Sequence, residues 1–485
     1  MKLFILKICF FLILIGALLY KLDPFFLDNS DSSTSSYAML YEYDKNDIDV
    51  VFLGNSHQGK GLDTNIINAK CDLNSIKINA GGINIAQIYF NLKEVLNHQS
   101  PKLVGIEIWP LIEKGLRYNT IYDEDGKLMA AKFKGEYYKR FGSVKYNEIS
   151  QIYQDDKLYH MFNFFRFHQT WQDMEDLSSS LSTKFSFSAR EATYHNRVNW
   201  YLSNDKIEKY SNINFDTDGM FLSEIEVEYL NKIIDLSKKY DFELLFYCIP
   251  VYQKYYNKTK EGFKKVTDKV KTISDKHKKV HFYDINEMFS GLNYTYMMGE
   301  KVNHNQHLNY KGQIKTSNKL ANFINKNFTF KNTTDFKYFD TPENLLYNYK
   351  KRKDDDFVGS VNLVNNISYK DINGKKIIKV PEQANAIYLE GWMYKNDLKK
   401  FENKNKIVAL KKDNDFVYIT SDRQIKSRKA PALVNKFGKI YDQSSYKLRI
   451  SKELLEKGTY TIFHIIKDKD DKYHLKNLYK QIIVQ

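Results

Sequence analysis

Ser56 and His307 are the two residues whose types and settings in this chain could do chemistry together. Ser56 stands in Val50-Val51-Phe52-Leu53-Gly54-Asn55-Ser56-His57, where an apolar run stops at a small polar turn. A turn of that kind ends a buried strand and lifts a serine hydroxyl clear of the backbone at the carboxyl edge of an α/β sheet. A serine hydroxyl needs a base to take its proton before it can attack. The candidate base lies far downstream, in His304-Asn305-Gln306-His307-Leu308-Asn309-Tyr310-Lys311-Gly312. Taken alone, Ser56 could equally be a helix N-cap, with His57 as filler, and His307 a surface histidine. His304 and His307 have a spacing that could hold a metal on a helix. The last helix begins near Asn309, however, so the pair falls in a turn and no metal is expected.

The elements around these residues have the rhythm of a parallel sheet. Residues 48–54 form a first strand, and residues 76–80 a second that ends in Gly81-Gly82. A helix with Ile85, Ile88, Tyr89, Leu92 and Val95 on one side leads to a third strand, Leu103 to Trp109, closed by Pro110. Strand–helix–strand spacing implies parallel strands with helices packed on them. Residues 111–220 break the rhythm and read as a helical insertion, within which the aromatic run Phe162 to Trp171 is a mini-core or a sugar-facing lid. The pattern resumes with a helix over Glu224 to Tyr240, a strand over Glu243 to Ile249, a helix over Gly262 to His277, a strand over Val280 to Ile285 and the last helix to about Asn327. One domain thus spans 45–330. Residues 331–355 read as a linker. Short alternating segments from 356 to 485, separated by turns such as Asn373-Gly374 and Lys457-Gly458, predict an antiparallel β-sandwich.

The order of parts resembles the SGNH (GDSL-like) hydrolase superfamily, and within it the membrane-anchored, extracytoplasmic branch linked to O-acylation of bacterial surface polymers. The resemblance rests on Gly54-Asn55-Ser56-His57 after the first strand, Gly81-Gly82 after the second, and His307-Leu308-Asn309 with Gly312 at the last helix. It implies Ser56 as nucleophile and His307 as general base. It further implies an oxyanion hole from the Ser56 backbone N–H and from Gly81 or Gly82, with Asn55 in the substrate-binding turn. Two positions depart from the pattern. His304 stands where an aspartate usually orients the histidine; an imidazole there orients only by hydrogen bonding, and Asp284 is an alternative acid. Glu107-Ile108-Trp109-Pro110 stands where an oxyanion-hole asparagine is usual.

Composition sets the surroundings. The chain has 485 residues, 42% of them hydrophobic, so it folds as a globular protein of more than one domain. Lys and Arg number 74 against 59 Asp and Glu, but the excess is mostly lysine and is spread along the chain. That argues against nucleic acid, which calls for clustered arginine, and suits anionic envelope polymers or lipid head groups, or simply a Lys- and Asn-rich coding bias. Cys71 and Cys248 could pair, but two cysteines make no framework. Residues 1–22, with Lys2 and Lys7 before an unbroken apolar run, predict an uncleaved signal-anchor with the bulk of the chain outside the membrane; 23–44 then form a tether, flexible over Asn29 to Ser36.

The expected architecture is therefore α/β, an SGNH-like parallel sheet flanked by helices, with a C-terminal sandwich and an N-terminal transmembrane anchor. The sandwich, through Leu389-Glu390-Gly391-Trp392, resembles accessory domains of surface-polysaccharide enzymes; Trp392 is either core or a sugar platform, and Arg423 to Lys429 a basic loop. The expected activity is that of a serine esterase or O-acyltransferase on a cell-surface polysaccharide, needing no cofactor and partnered by a membrane-bound acyltransferase. The rival expectations are an inactive SGNH-fold scaffold that binds or helps assemble such a polymer, and a purely structural envelope adhesin.

Overall fold

The computed structural model describes residues 2–26, 36–37, 39–41, 43–112, 138, 141–152, 157–166, 220–298, 307–330, 341–349, 357–370, 376–395, 406–413, 415–420, 425–439, 442–468, 470 and 472–485. His304, most of the insertion, Asn29 to Ser35 of the expected tether, Asn373-Gly374 and residues 350–356 lie outside the described residues.

The α/β domain is built on β1 (Val50–Gly54), β2 (Ser75–Asn79), β3 (Leu103–Glu107), β4 (Glu243–Cys248) and β5 (Val280–Asp284), in the order β2-β1-β3-β4-β5. Every pairing is parallel. Residues of β1 and β3 are buried throughout, which explains their continuous apolar sequence: helices cover both faces, so neither face needs polar alternation. The chain leaves β1 toward β2 on one side and later fills the other side with β3. The carboxyl end of β1 is thus the topological switch point, where open α/β sheets form a crevice.

The helices labelled here are α1 (Lys2–Leu22), α2 (Ser56–Gly61), α3 (Thr64–Cys71), α4 (Ile85–His98), α5 (Glu224–Tyr240), α6 (Gln253–Ser274), α7 (Ile285–Phe289), α8 (Tyr310–Asn327) and α9 (Pro342–Tyr347). Helix α6 starts nine residues before the expected Gly262, whose missing Cβ leaves room for Met220 Sδ, 2.4 Å from where that Cβ would stand. Helix α1 carries 21 residues at a mean hydropathy of 2.7 and buries none of them, so by length and composition it is a membrane anchor or a signal sequence.

The segment after α1 is not a free tether where it is described. Asp23 is buried, its backbone and carboxylate taking hydrogen bonds from Asn163 and Phe164. Tyr37, Leu40 and Tyr43 are part of the α/β core, with the Tyr37 hydroxyl donating to Asn91 at 2.7 Å. Burial of Tyr37, Leu40 and Tyr43 anchors this stretch.

The C-terminal sandwich packs one five-stranded sheet, β11-β10-β14-β15-β8, on another, β12-β13-β9-β6-β7. Its strands are β6 (Val358–Val364), β7 (Ile367–Ser368), β8 (Ile377–Lys379), β9 (Ala386–Tyr394), β10 (Lys406–Lys412), β11 (Asp415–Ile419), β12 (Ile425–Arg428), β13 (Ser445–Ser451), β14 (Gly458–Lys467) and β15 (Tyr473–Val484). Most of the expected basic loop from Arg423 is in fact edge strand β12, where lysine and arginine on the outer face suit an edge. Trp392 is half-buried on β9 and lies outside the sandwich core cluster. Cys71 and Cys248 are free thiols.

Strands β10 and β14 are buried on both sides. Val408, Leu410, Ile462 and Ile466 point into the sandwich. Ile407, Ala409, Phe463 and Ile465 form a separate cluster with Ile66, Tyr310 and Ile314 of the α/β domain and with Leu345 and Leu346 of α9. The segment 342–347, expected as linker, is therefore a packed helix wedged between the domains. Ion pairs rim this apolar seam, Lys70 to Asp415 at 2.8 Å and Lys315 to Glu456 at 3.1 Å.

Candidate active site

Ser56 is the first residue of α2, immediately after the switch-point strand β1. Asn55 is the N-cap: its side chain accepts the His57 N–H at 2.9 Å, and it is buried. Asn55 therefore shapes the turn that presents Ser56, which is itself partly exposed. The glycines of α2 let the helix sit low on the sheet. A Cβ on Gly59 would stand 2.4 Å from Asn79 Nδ2, and one on Gly61 2.7 Å from Ile249 Cγ2. Lys77 of β2 donates to the Gly59 and Leu62 carbonyls at 2.7 and 2.6 Å, closing the C-terminal end of α2. Its burial pulls the ammonium down to about 8.

His307 comes from the other end of the domain and meets Ser56: His307 Nε2 lies 3.0 Å from Ser56 Oγ. The histidine is 5% exposed. Its backbone carbonyl accepts the Met298 N–H at 2.9 Å, and Leu308 forms a bridge with Met297. Asn309 then caps α8, accepting the Gly312 N–H at 3.1 Å, and its amide donates to the Thr295 and Met297 carbonyls. Gly312 is required by close approach, since a Cβ there would stand 2.6 Å from the Tyr296 carbonyl oxygen. Each residue of the His-Leu-Asn segment and its trailing glycine thus has a geometric task in placing the imidazole.

The remaining expected residues are dispersed. Gly81 and Gly82 form the turn after β2, at the same carboxyl edge of the sheet; Gly82 has φ +71° and open space around its α-carbon, so its backbone is accessible. His304 lies outside the described residues. Asp284 does not reach His307. Its carboxylate accepts the Glu287 N–H at 2.9 Å and caps α7, and burial pushes it up to about 6. Among the described residues no group of three or more His, Cys, Asp or Glu side chains could hold a metal ion.

One feature of the site is not visible in the sequence pattern. Behind Ser56, His57 and Glu107 are both fully buried, with His57 Nδ1 3.2 Å from Glu107 Oε1. Trp109 lies against the His57 ring, centroids 4.6 Å apart. Burial pushes the Glu107 carboxyl well above the usual carboxylate range, although the Trp109 and Ile249 N–H groups oppose this. A carboxyl that keeps its proton donates to Nδ1 and leaves the pair neutral, which avoids the cost of an isolated buried charge. The residue standing where an oxyanion-hole asparagine was expected thus points inward and ties the end of β3 to the residue after Ser56. The only sequence signal for it is an acid at the end of an otherwise apolar strand.

No protein-family model matches this chain, and no curated protein matches it. Solved structures that resemble it in part include a protein assigned as an acylhydrolase from Bacteroides fragilis (13% identity, 60% of this chain and 94% of that chain, TM-score 0.28). A Streptococcus pneumonia protein assigned as a platelet activating factor matches at 10% identity over 65% of this chain and 99% of that one, TM-score 0.31. A gut microbial diltiazem-metabolizing enzyme matches at 12% identity over 91% and 73%, TM-score 0.26. Likenesses this weak do not bear on function.

Proposed function

We propose that this chain is a membrane-anchored, extracytoplasmic serine esterase or O-acyltransferase of the SGNH type, acting on acyl esters, acetyl among them, of a cell-surface polysaccharide. The observation that carries the reading is the 3.0 Å contact between Ser56 Oγ and His307 Nε2 at the switch point of a parallel sheet. That is hydrogen-bond reach for a nucleophile and its base.

In this mechanism His307 takes the Ser56 proton as Oγ attacks the acyl carbon. The ester C–O bond breaks, and the imidazolium returns the proton to the departing alkoxide. Water or a sugar hydroxyl then gives its proton to His307, attacks the acyl-enzyme and releases Ser56. The Ser56 N–H and the backbone at Gly81-Gly82 supply donors to the oxyanion. No cofactor or metal enters any step. A membrane-bound acyltransferase would deliver the acyl group from the anchor side.

The test is turnover of p-nitrophenyl acetate by the full chain in detergent, with and without an acceptor sugar. Burst release of nitrophenol, absent in Ser56→Ala and His307→Ala, supports the reading. Turnover retained in both variants refutes it, and silence in the unaltered chain towards all short acyl esters favours the scaffold.

A further inference from the structure

A cavity of about 270 Å³ lies where α8 meets the sandwich, well outside the Ser56 turn. One wall is the face of α8 that carries Lys311, Lys315 and Lys319, spaced so that each lies above the last. Lys412, from the end of β10, lines it too. An interdomain ion-pair network explains part of this. Lys315 and Lys412 both reach Glu456, at 3.1 and 3.5 Å.

The network does not explain Lys311. Its side chain is 8% exposed, yet its ammonium donates only to the Thr295 hydroxyl, at 2.9 Å, and lies 3.8 Å from the Tyr296 ring centroid. Among the described residues no carboxylate lies within ion-pair distance of it. Among the described residues Lys319 makes no ion pair; the Phe289 ring centroid lies 5.8 Å from its ammonium. Three acids also line the cavity: Asp415 is paired with Lys70, Glu456 with Lys315 and Lys412, and Asp413 stands just past the end of β10. Burying an ammonium with no anion in contact is costly. Burial has pulled the Lys311 ammonium down to about 8, with Glu456 and Glu453 opposing at longer range. A hydroxyl and a ring face leave the three-donor ammonium short of an anionic acceptor.

We infer that the cavity is an anion subsite, which takes one carboxylate- or phosphate-bearing unit of an acidic glycan on Lys311 and Lys319. This rests on the polysaccharide reading above and narrows it to polymers that carry negative charge. The placement fits: Lys311 is in the first turn of α8, four residues after His307, so the subsite lies at the end of the helix that His307 precedes. The cavity volume suits a single unit rather than a long oligomer.

The test needs no catalysis. Full-length Ser56→Ala chain in detergent is titrated calorimetrically with trigalacturonate, with glycerol phosphate and with an uncharged trisaccharide. Saturable binding of at least one anion, about tenfold or more tighter than the neutral sugar, is expected, and it should weaken as KCl is raised. Which of the two anions binds identifies the charged group. Lys311→Met should weaken that binding about tenfold; the partly exposed Lys319→Gln, which does not threaten the fold, should weaken it several-fold. Equal affinity for charged and neutral sugars, no anion binding, or unchanged affinity in both lysine variants overturns the proposal. Anion binding that holds while the esterase assay is silent keeps the subsite and removes only the enzyme.

Discussion

The two halves of the candidate site are held in different ways. Ser56 is fixed from behind by side chains, through the fully buried His57–Glu107 pair and the Trp109 ring. His307 is fixed by backbone: the Met298 N–H on its carbonyl, the Met297–Leu308 bridge, and the Asn309 clamp. The first arrangement is dry and sensitive to any change of charge or shape. The second spreads its load over several main-chain bonds and tolerates loss of one. The lesson is that the Ser56 turn, which looks simplest in sequence, depends most on a residue from another strand.

The largest effect expected is on the reacting atoms themselves. Ser56→Ala or His307→Ala should lower turnover by roughly four orders of magnitude or more, with the melting temperature nearly unchanged. Next is Glu107→Leu, which removes one member of a buried neutral pair. Loss of the carboxyl from His57 Nδ1 should cost about 1–3 kcal/mol of stability by denaturant unfolding and lower kcat more than it raises KM. Glu107→Gln, which keeps shape and a donor, should restore most of both; if Leu and Gln behave alike, the pair has no positioning role.

On the histidine side, Asn309→Ala removes a cap and two clamps. About 1–2 kcal/mol is expected, with a smaller fall in kcat than Glu107→Leu gives. A larger fall would reverse the contrast between the halves.

The smallest effect is at Asp284. Its folded-state pKa, about 6, is raised above the unfolded value of 3.8, so the native state holds the proton more tightly. Wild-type stability should therefore fall as pH rises from about 4 to about 6, and the penalty is complete above that window. Asp284→Asn should gain melting temperature above pH 6 and lose the advantage below pH 4, with turnover close to wild type. A turnover loss of about 10⁴ would instead make Asp284 the acid that orients His307.

Much of this was legible in the sequence. The apolar run before Ser56, the His-Leu-Asn segment with Gly312 and the alternation past residue 356 set out the sheet, the position of His307 and the sandwich, because local pattern encodes local structure. The His57–Glu107 pair was not legible, since only the strand order places the end of β3 beside the turn after β1. Ser36 to Tyr43 read as tether because the serines before it masked its aromatic residues, which find their core only in three dimensions. Helix α6 extends back past Gly262 to Gln253 because Met220 packs where a side chain at 262 would stand, a contact that local pattern does not encode. The α9 wedge was lost between charged and polar neighbours.

The central claim is that Ser56 is a nucleophile activated by His307. The direct measurement is labelling of the full-length chain with a fluorophosphonate, followed by mass spectrometry of the modified peptide. The account predicts a single adduct on Ser56 that is lost in His307→Ala and retained in Asp284→Asn. An adduct elsewhere, or labelling of Ser56 at the same rate without His307, would contradict it.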